Sequence, residues 1–198
     1  MQVCKEQAAM ISLKTLDTFQ PDDVTRFVPG YTSPEKYVVQ RTEAPDGEEI
    51  LISLRRVALD KPYIKHFPPE TYMFSTYDAC IRAGSCLGAY DDDRLVGIAI
   101  AGAQTWNQTL WIWEFGVLET HQRQGIGLRM MDELAHRARS AGLRIMLVET
   151  QNTNGPAIRF YRRAGFSFDA VDLTYYANND SLDEEIALFM KRKLISSV

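Results

Sequence analysis

The chain is poor in the residues that build disulfide frameworks and metal sites. Its 198 residues include 3 cysteines and 3 histidines. Cys4, Cys80 and Cys86 are odd in number and show no paired spacing of the zinc or redox type. The histidines stand apart from other metal-binding residues. We therefore expect incidental or buried thiols and no metal site.

Long apolar runs are also missing. No run approaches the ~18 to 20 residues that span a bilayer, and residues 1–14 lack the continuous apolar core of a secretory signal. These absences predict a soluble, cytoplasmic chain without a membrane partner. The net charge of -4 argues against nucleic acid as the main partner, because binding a phosphate backbone requires a dominant basic surface.

The charges that are present are unevenly distributed. Arginines gather in and after a glycine-rich turn, while residues 91–93 and 180–185 are mostly acidic; the arginines are Arg123, Arg129, Arg137, Arg139 and Arg144. This asymmetry fits an anionic cofactor at one end and a cationic substrate elsewhere. It fits an ordinary solvated surface equally well.

Periodicity predicts a sheet with helices, of the α+β or α/β class. The predicted strands are 36–41, 50–57, 85–90, 95–103, 110–118, 144–149, 166–176 and 186–192. One helix follows residue 125, with an apolar stripe of Leu128, Met131, Leu134, Ala135 and Ala138, and ends at Gly142. A second helix begins with Asn154 as N-cap and Pro156 in its first turn, and ends at Gly165.

The most informative segment is the junction of a strand and the first helix, at residues 122–127. The first N–H groups of a helix lack partners within it and carry partial positive charge, so an anion fits there. Gly125 and Gly127 have no Cβ, which lets an anion approach the main chain. The junction predicts a phosphate site, although a plain tight turn would have the same composition.

Two motifs in order carry a resemblance to a known family. Gln-x-x-Gly-x-Gly at 122–127 is followed by Asn-x-x-Ala-x-x-Phe-Tyr-x-x-x-Gly-Phe at 154–166. Together they resemble the GNAT (GCN5-related) acetyltransferase superfamily. The resemblance implies a GNAT acyl-CoA N-acyltransferase fold with a central mixed, mostly antiparallel, twisted sheet flanked by helices. It also implies one domain over 1–198, with a catalytic core at 85–194 and a less certain extension at 1–50, which is either an added cap on the acceptor side or a relative of the downstream sheet.

The resemblance implies acetyl-CoA as co-substrate. The strand before the turn would bind pantetheine through its main chain, the turn would bind the pyrophosphate, and the second helix would contact the cofactor arm. The implied cofactor-binding residues are Val117, Leu118, Glu119, Gln122, Arg123, Gln124, Gly125, Ile126, Gly127, Leu128, Asn154, Ala157 and Phe160.

Tyr161 is implied to be the general acid that protonates the leaving thiolate. Asn154, Ala157 and Tyr161 are spaced by three and four residues and so share one helical face. Two alternatives remain open. Asn154 could be purely an N-cap, and Tyr161 could be a core tyrosine with a satisfied hydroxyl.

The general base is less clearly marked. Glu114 lies on the strand before the turn, but streptothricin acetyltransferases, a family within this superfamily that the chain also resembles, read Ile-Glu-Asp where this chain has Ile112-Trp113-Glu114. Trp113 therefore occupies the family's Glu position, and the one-residue offset matters unless a bulge intervenes. Glu114 is predicted as the catalytic base, the alternative being a pair with an arginine such as Arg144, and Glu149 is a second candidate.

A narrower likeness points to the acceptor. Residues 62–65, 106–107, 147–154 and 172, together with Tyr176-Ala177-Asn178, look like streptothricin acetyltransferases, which implies a small cationic amine as substrate. Trp106, Trp111, Trp113 and Tyr175 would be an aromatic wall for the acceptor or part of the core.

The alternatives to this function are a protein or peptide amine as acceptor and a non-catalytic acyl-CoA-binding module. Within the superfamily the last two strands often form dimers, so a homodimer through Leu188, Phe189 and Met190 is also expected.

Overall fold

The computed structural model describes residues 11–18, 20–67, 73–177 and 185–194. Cys4, Asn178, Asp180, Asp183 and Glu184 lie outside these ranges. The described residues form strands β1 Ser12–Thr15, β2 Gly30–Glu43, β3 Ile50–His66, β4 Leu87–Asp91, β5 Arg94–Gln104, β6 Thr109–Val117, β7 Ile145–Gln151, β8 Ser167–Asp172 and β9 Ala187–Lys193. The helices are α1 Pro21–Phe27, α2 Phe74–Arg82, α3 Ile126–Ser140 and α4 Gly155–Arg163.

Seven strands form one mixed sheet in the order β1-β4-β5-β6-β7-β9-β8. All neighbours are antiparallel except β6 and β7, which are parallel. A parallel pair requires a crossover, and α3 supplies it. The predicted mixed, mostly antiparallel sheet flanked by helices is confirmed.

A long hairpin of β2 and β3 stands beside this sheet as a second, two-stranded sheet. Its pairing shifts register between Ser33 and Glu35, and Pro34 and Pro62 lie at this irregularity, where a missing N–H costs no regular ladder bond. Both β2 and β3 are longer than the strands predicted at 36–41 and 50–57. The hairpin also spans residue 50, where the predicted extension ends.

Hydrophobic residues pack on both faces of the main sheet. The larger cluster joins α3 and α4 to the sheet, with Met130, Met131, Leu134 and Ile158 nearly inaccessible. A smaller cluster joins α1 and α2 to β5. The prediction that Leu128 lies on the buried stripe of α3 is wrong. Leu128 is 38% exposed, and Met130 occupies the core position of that turn.

The last two strands differ from prediction in length and place. The predicted strand 166–176 ends at Asp172, because Asp172 Oδ1 accepts a bond from Thr174 N at 3.1 Å and turns the chain. β9 pairs between β7 and β8, and Leu188 and Met190 are buried in the chain's own core. These two residues give no support to a homodimer interface, and the homodimer stays a prediction.

The described residues contain neither a membrane-spanning helix nor a cluster of metal-binding side chains. None of the helices there is long and apolar enough to cross a membrane. In the same residues no group of three or more His, Cys, Asp or Glu is arranged to hold a metal ion.

Candidate active site

The glycine turn has the backbone geometry of an anion cradle. After the short 3-10 turn Glu119–His121, Arg123 and Gly125 both adopt positive φ, 61° and 81°. α3 then begins at Ile126, without a side-chain cap from Gly125. The first N–H groups of α3 therefore remain for a ligand. A Cβ at Gly125 would meet nothing within 4 Å, so glycine is needed there for its φ.

Gly127 has a packing role in addition to the approach of an anion, which stays a prediction. A Cβ at this position would lie 3.0 Å from Cε2 of Phe160. The Phe160 ring in turn stacks on Phe115, with centroids 5.2 Å apart. Gly127 thus lets α3 pack closely on α4 and β6, which fixes where the cradle points. Of the predicted arginine cluster, Arg137 and Arg139 lie in the last turn of α3, away from the cradle.

At the end of β6, the main-chain groups of successive residues point in opposite directions, toward β5 and away from it. Leu118 N donates to Val96 O at 2.9 Å. Because main-chain groups alternate along a strand, those of Val117 point to the opposite side, away from β5. Val117 O accepts a bond from Gln122 Nε2 at 2.9 Å, which ties the turn to the strand. Glu119 is exposed.

The sheet opens beside this point. β6 and β7 pair from Thr109 and Ile145 only as far as Ile112 and Val148. Beyond that pair the two strands separate, although β6 continues to Val117 and β7 to Gln151. The gap between them is bordered by Glu114 on β6 and Glu149 on β7.

A β-bulge in β6 lies at Trp113, the position of the one-residue offset noted in the sequence. In the β5–β6 ladder Ile100 pairs with Glu114 and Ala101 with Ile112, which leaves Trp113 as the extra residue. Trp113 packs against the α1/α2 cluster. Glu114 reaches the same side, where its Oε1 accepts a bond from Tyr77 Oη at 2.5 Å. The bulge therefore directs both side chains toward one face.

The alternative pairing of Glu114 with Arg144 is wrong. Arg144 Nε donates to Asn107 O at 2.8 Å instead.

Four predicted residues lie on the first two turns of α4. Asn154 Oδ1 accepts a bond from Ala157 N at 3.1 Å, so Asn154 is an N-cap as predicted. The amide nitrogen of Asn154 is not used by that cap. Phe160 and Tyr161 pack against the larger core cluster. Whether these residues contact a cofactor stays a prediction.

Tyr161 is held in its protonated form. Burial, followed by the carboxylates of Glu114 and Glu149, raises the pKa of Tyr161 well above its usual value of 10.0. Both carboxylates therefore act electrostatically on the phenol, although the three side chains belong to β6, β7 and α4.

The carboxyl group of Glu149 has a pKa near neutral pH. Burial raises its pKa to about 7, with a smaller increase from Glu185, while a hydrogen bond from Tyr176 Oη and the charge of Lys65 act in the opposite direction. A general base is most effective when its pKa lies near the working pH. Tyr176 was noted in the sequence only as part of a likeness, and its bond to Glu149 connects residues 27 positions apart.

Glu185 anchors the hairpin to this region and had no separate signal in the sequence. Its carboxylate accepts bonds from Tyr31 at 3.2 Å, Tyr63 at 3.0 Å and Thr153 at 3.3 Å, and pairs with Lys65. Burial, followed by the interaction with Glu185, raises the pKa of Tyr63 to about 12. The hairpin therefore contributes side chains next to Glu149.

Three of the four predicted aromatic-wall residues meet beside the gap. The rings of Trp111 and Trp113 stack with centroids 4.6 Å apart. Phe189 makes edge contacts with Trp111 at 6.2 Å and Tyr175 at 5.5 Å. Trp106 lies in the β5–β6 turn and is 84% exposed. Phe189, which was also predicted at a dimer interface, belongs to this aromatic cluster.

Comparison with known proteins gives concordant matches. The model of the acetyltransferase (GNAT) family matches residues 51–166. A streptothricin acetyltransferase of Streptomyces lavendulae is 36% identical over 143 residues, which cover 70% of this chain and 74% of that protein. The crystal structure of nourseothricin acetyltransferase superposes with a TM-score of 0.68 at 26% identity, covering 93% of this chain and 99% of that one.

A Bacillus anthracis protein described as a streptothricin acetyltransferase, solved in complex with acetyl coenzyme A, has a TM-score of 0.69 at 18% identity. It covers 94% of this chain and 99% of that one. At this identity the likeness concerns the fold.

Proposed function

This chain belongs to the acetyltransferase (GNAT) family, and on that premise we propose that it acetylates a primary amine of a small, cationic, streptothricin-like acceptor. Family membership confirms the predicted GNAT fold and the predicted acetyl-CoA-dependent N-acetyltransferase activity. The observation that supports the acceptor proposal is the gap between β6 and β7, which is bordered by Glu114 and Glu149, two carboxylates that both act electrostatically on Tyr161.

The streptothricin-like acceptor is supported by relatives and by charge. The similar proteins are named as acetyltransferases of streptothricin and nourseothricin. Carboxylates and aromatic rings next to the gap suit an ammonium group, because both attract cations. Acetylating such an antibiotic would give resistance to it. Because acetyl-CoA is an intracellular metabolite, we place this activity in the cytoplasm.

The residues around the glycine turn fit acetyl-CoA. A pyrophosphate would lie against the N-terminus of α3, where Arg123 and Gly125 shape the turn by positive φ. Val117 would present its main chain to the pantetheine arm, and the Asn154 amide nitrogen would contact the same arm. When bound there, acetyl-CoA supplies a thioester carbonyl that an amine can attack.

Proton management would fall to Tyr161 and Glu149. An acceptor amine is mostly protonated at neutral pH and must lose a proton before it attacks. We assign that proton to Glu149, since its pKa of about 7 allows it to be ionised and still basic. Tyr161 remains protonated and would donate to the departing sulfur. Glu114, held by Tyr77, would stabilise the ammonium form electrostatically and is the competing candidate for the base.

The test is an amine panel with acetyl-CoA. Purified protein is incubated with streptothricin, simple polyamines and a lysine-containing peptide, and release of free CoA is followed with a thiol reagent. We expect release with streptothricin, and at least tenfold less with the peptide. Activity on the peptide alone would contradict the acceptor class, and acetyl-CoA binding without turnover on any amine would contradict catalysis.

A further inference from the structure

The sheet face on the side of α1 and α2 carries aromatic rings in register with Glu149. In the β7–β9 ladder Phe189 lies directly opposite Glu149. Trp111 lies opposite Leu147 on β7, two residues before Glu149 and therefore on the same face. Tyr175 packs edge-on against both Phe189 and Tyr176. We call Trp111, Trp113, Tyr175 and Phe189 the aromatic patch.

The aromatic patch is accessible and lies in a negative field. Tyr175 is 47% exposed, and the other three rings are partly buried. Burial, then the carboxylates of Glu149 and Asp172, raises the pKa of Tyr175. Two carboxylates therefore act on the ring that borders solvent. Two lysines share the face of Phe189 on β9: Lys191 is paired with Asp169, and Lys193 lies at the end of the strand, opposite Ile145.

Aromatic faces beside carboxylates favour a cation over a neutral apolar group. A guanidinium or ammonium group is attracted to a ring within about 6 Å of its centroid, and a planar guanidinium also stacks on rings. Within the chain, the Nζ of Lys65, which is paired with Glu185, lies 5.9 Å from the centroid of Tyr176. The reacting amine would already be held at Glu149, so the patch is suited to a different group of the same molecule.

We propose that the aromatic patch is a second subsite, which binds a guanidinium-type cation of the acceptor while its primary amine lies at Glu149. This subsite rests on the proposed acetyl transfer to a cationic amine and adds a requirement to it. The acceptor must carry two cationic groups on one flexible chain, and the second group sets specificity rather than chemistry.

Two probes isolate the second cation. Agmatine and n-butylamine both present a primary amine on a four-carbon chain, and agmatine alone adds a guanidinium group. We expect kcat/KM for agmatine to exceed that for n-butylamine by about tenfold in the unaltered protein. Tyr175→Leu and Trp111→Leu should each lower this ratio about fivefold, and Tyr175→Phe should keep it because the ring remains.

Trp106→Leu is the matched control, because it removes an exposed tryptophan outside the patch and should leave the ratio unchanged. An unchanged KM for acetyl-CoA shows that the variants are folded. Equal kcat/KM for the two amines, or an equal loss for both in Tyr175→Leu, would overturn the second subsite while leaving acetyl transfer intact. If agmatine is neither acetylated nor a competitive inhibitor of streptothricin acetylation, the subsite is likewise overturned. Absence of acetylation of every amine, streptothricin included, contradicts the proposed function instead.

Discussion

The two sides of the gap between β6 and β7 are built in different ways. The side of α3 and α4 is formed by contiguous segments, 117–128 and 154–161, and the groups that it would present to a ligand are largely main-chain N–H groups. The opposite side collects side chains from β3, β6, β7, β9 and the turn after β8. The side of α3 and α4 depends on backbone conformation, and the opposite side depends on which side chains the strands bring into contact.

This difference separates what a family shares from what an individual member does. A pyrophosphate cradle made of backbone tolerates many side chains, since only conformation and close packing are required. An acceptor site made of side chains changes its ligand when a few residues change. In this chain the predicted pyrophosphate site lies in the cradle, while the proposed acceptor would depend on Glu149, Tyr175 and their neighbours.

The largest effect is expected for Tyr161→Phe, because Tyr161 would take part in the reaction between the cofactor and the acceptor. Tyr161→Phe removes the proposed proton donor while keeping the ring that packs in the core. We expect kcat to fall by about 10²- to 10³-fold, the usual contribution of a general acid, with KM for acetyl-CoA within about twofold of its original value. Steady-state kinetics with streptothricin measures both. A comparable loss in acetyl-CoA affinity would mean that Tyr161 binds cofactor rather than transferring a proton.

Replacing Glu149 and Glu114 one at a time tests which of the two is the general base. Glu149→Gln should lower kcat/KM for streptothricin about 10²-fold, as expected for removal of a general base. Glu114→Gln should lower it by about tenfold, because Glu114 would act only through its charge. The same assay under saturating acetyl-CoA compares the variants. A larger effect of Glu114→Gln would assign the base to β6.

A smaller effect is expected at the partner of Glu149. The hydrogen bond from Tyr176 lowers the pKa of Glu149 against the opposing effect of burial. Tyr176→Phe removes that bond, so the pKa should rise, and the pH at which kcat/KM reaches half its plateau should move upward by a fraction of a unit to about one unit. A pH profile measures the shift. No shift, or a shift to lower pH, contradicts the assigned contact.

The smallest expected effects on catalysis concern the two glycines. Gly127→Ala places a Cβ 3.0 Å from Phe160, so we expect a loss of about 1–3 kcal/mol in unfolding free energy from overpacking. Gly125→Ala has open space but a φ of 81°, and should cost about 1–2 kcal/mol through the left-handed backbone alone. Denaturant unfolding compares them. KM for acetyl-CoA should rise in both, because each change disturbs the cradle.

The same contrast explains how far the sequence could be interpreted. The order of β6, α3, β7, α4 and the last two strands was predictable, because helix caps and hydrophobic periodicity are local. The insertion of β9 between β7 and β8, the bulge at Trp113 and the bond between Tyr176 and Glu149 depend on contacts distant in sequence. The contact of Gly127 with the ring of Phe160 was not predictable either, because it depends on the packing of two helices.

The role of Glu149 is tested most directly by the pH dependence of kcat/KM for streptothricin in the unaltered protein and in Glu149→Gln. A general base works in its ionised form, so activity should rise as the pH increases through about 7, the pKa of Glu149. Deprotonation of the free amine belongs to a separate limb at higher pH. The account predicts that the limb near pH 7 is absent in Glu149→Gln. The same limb at the same pH in Glu149→Gln would contradict it.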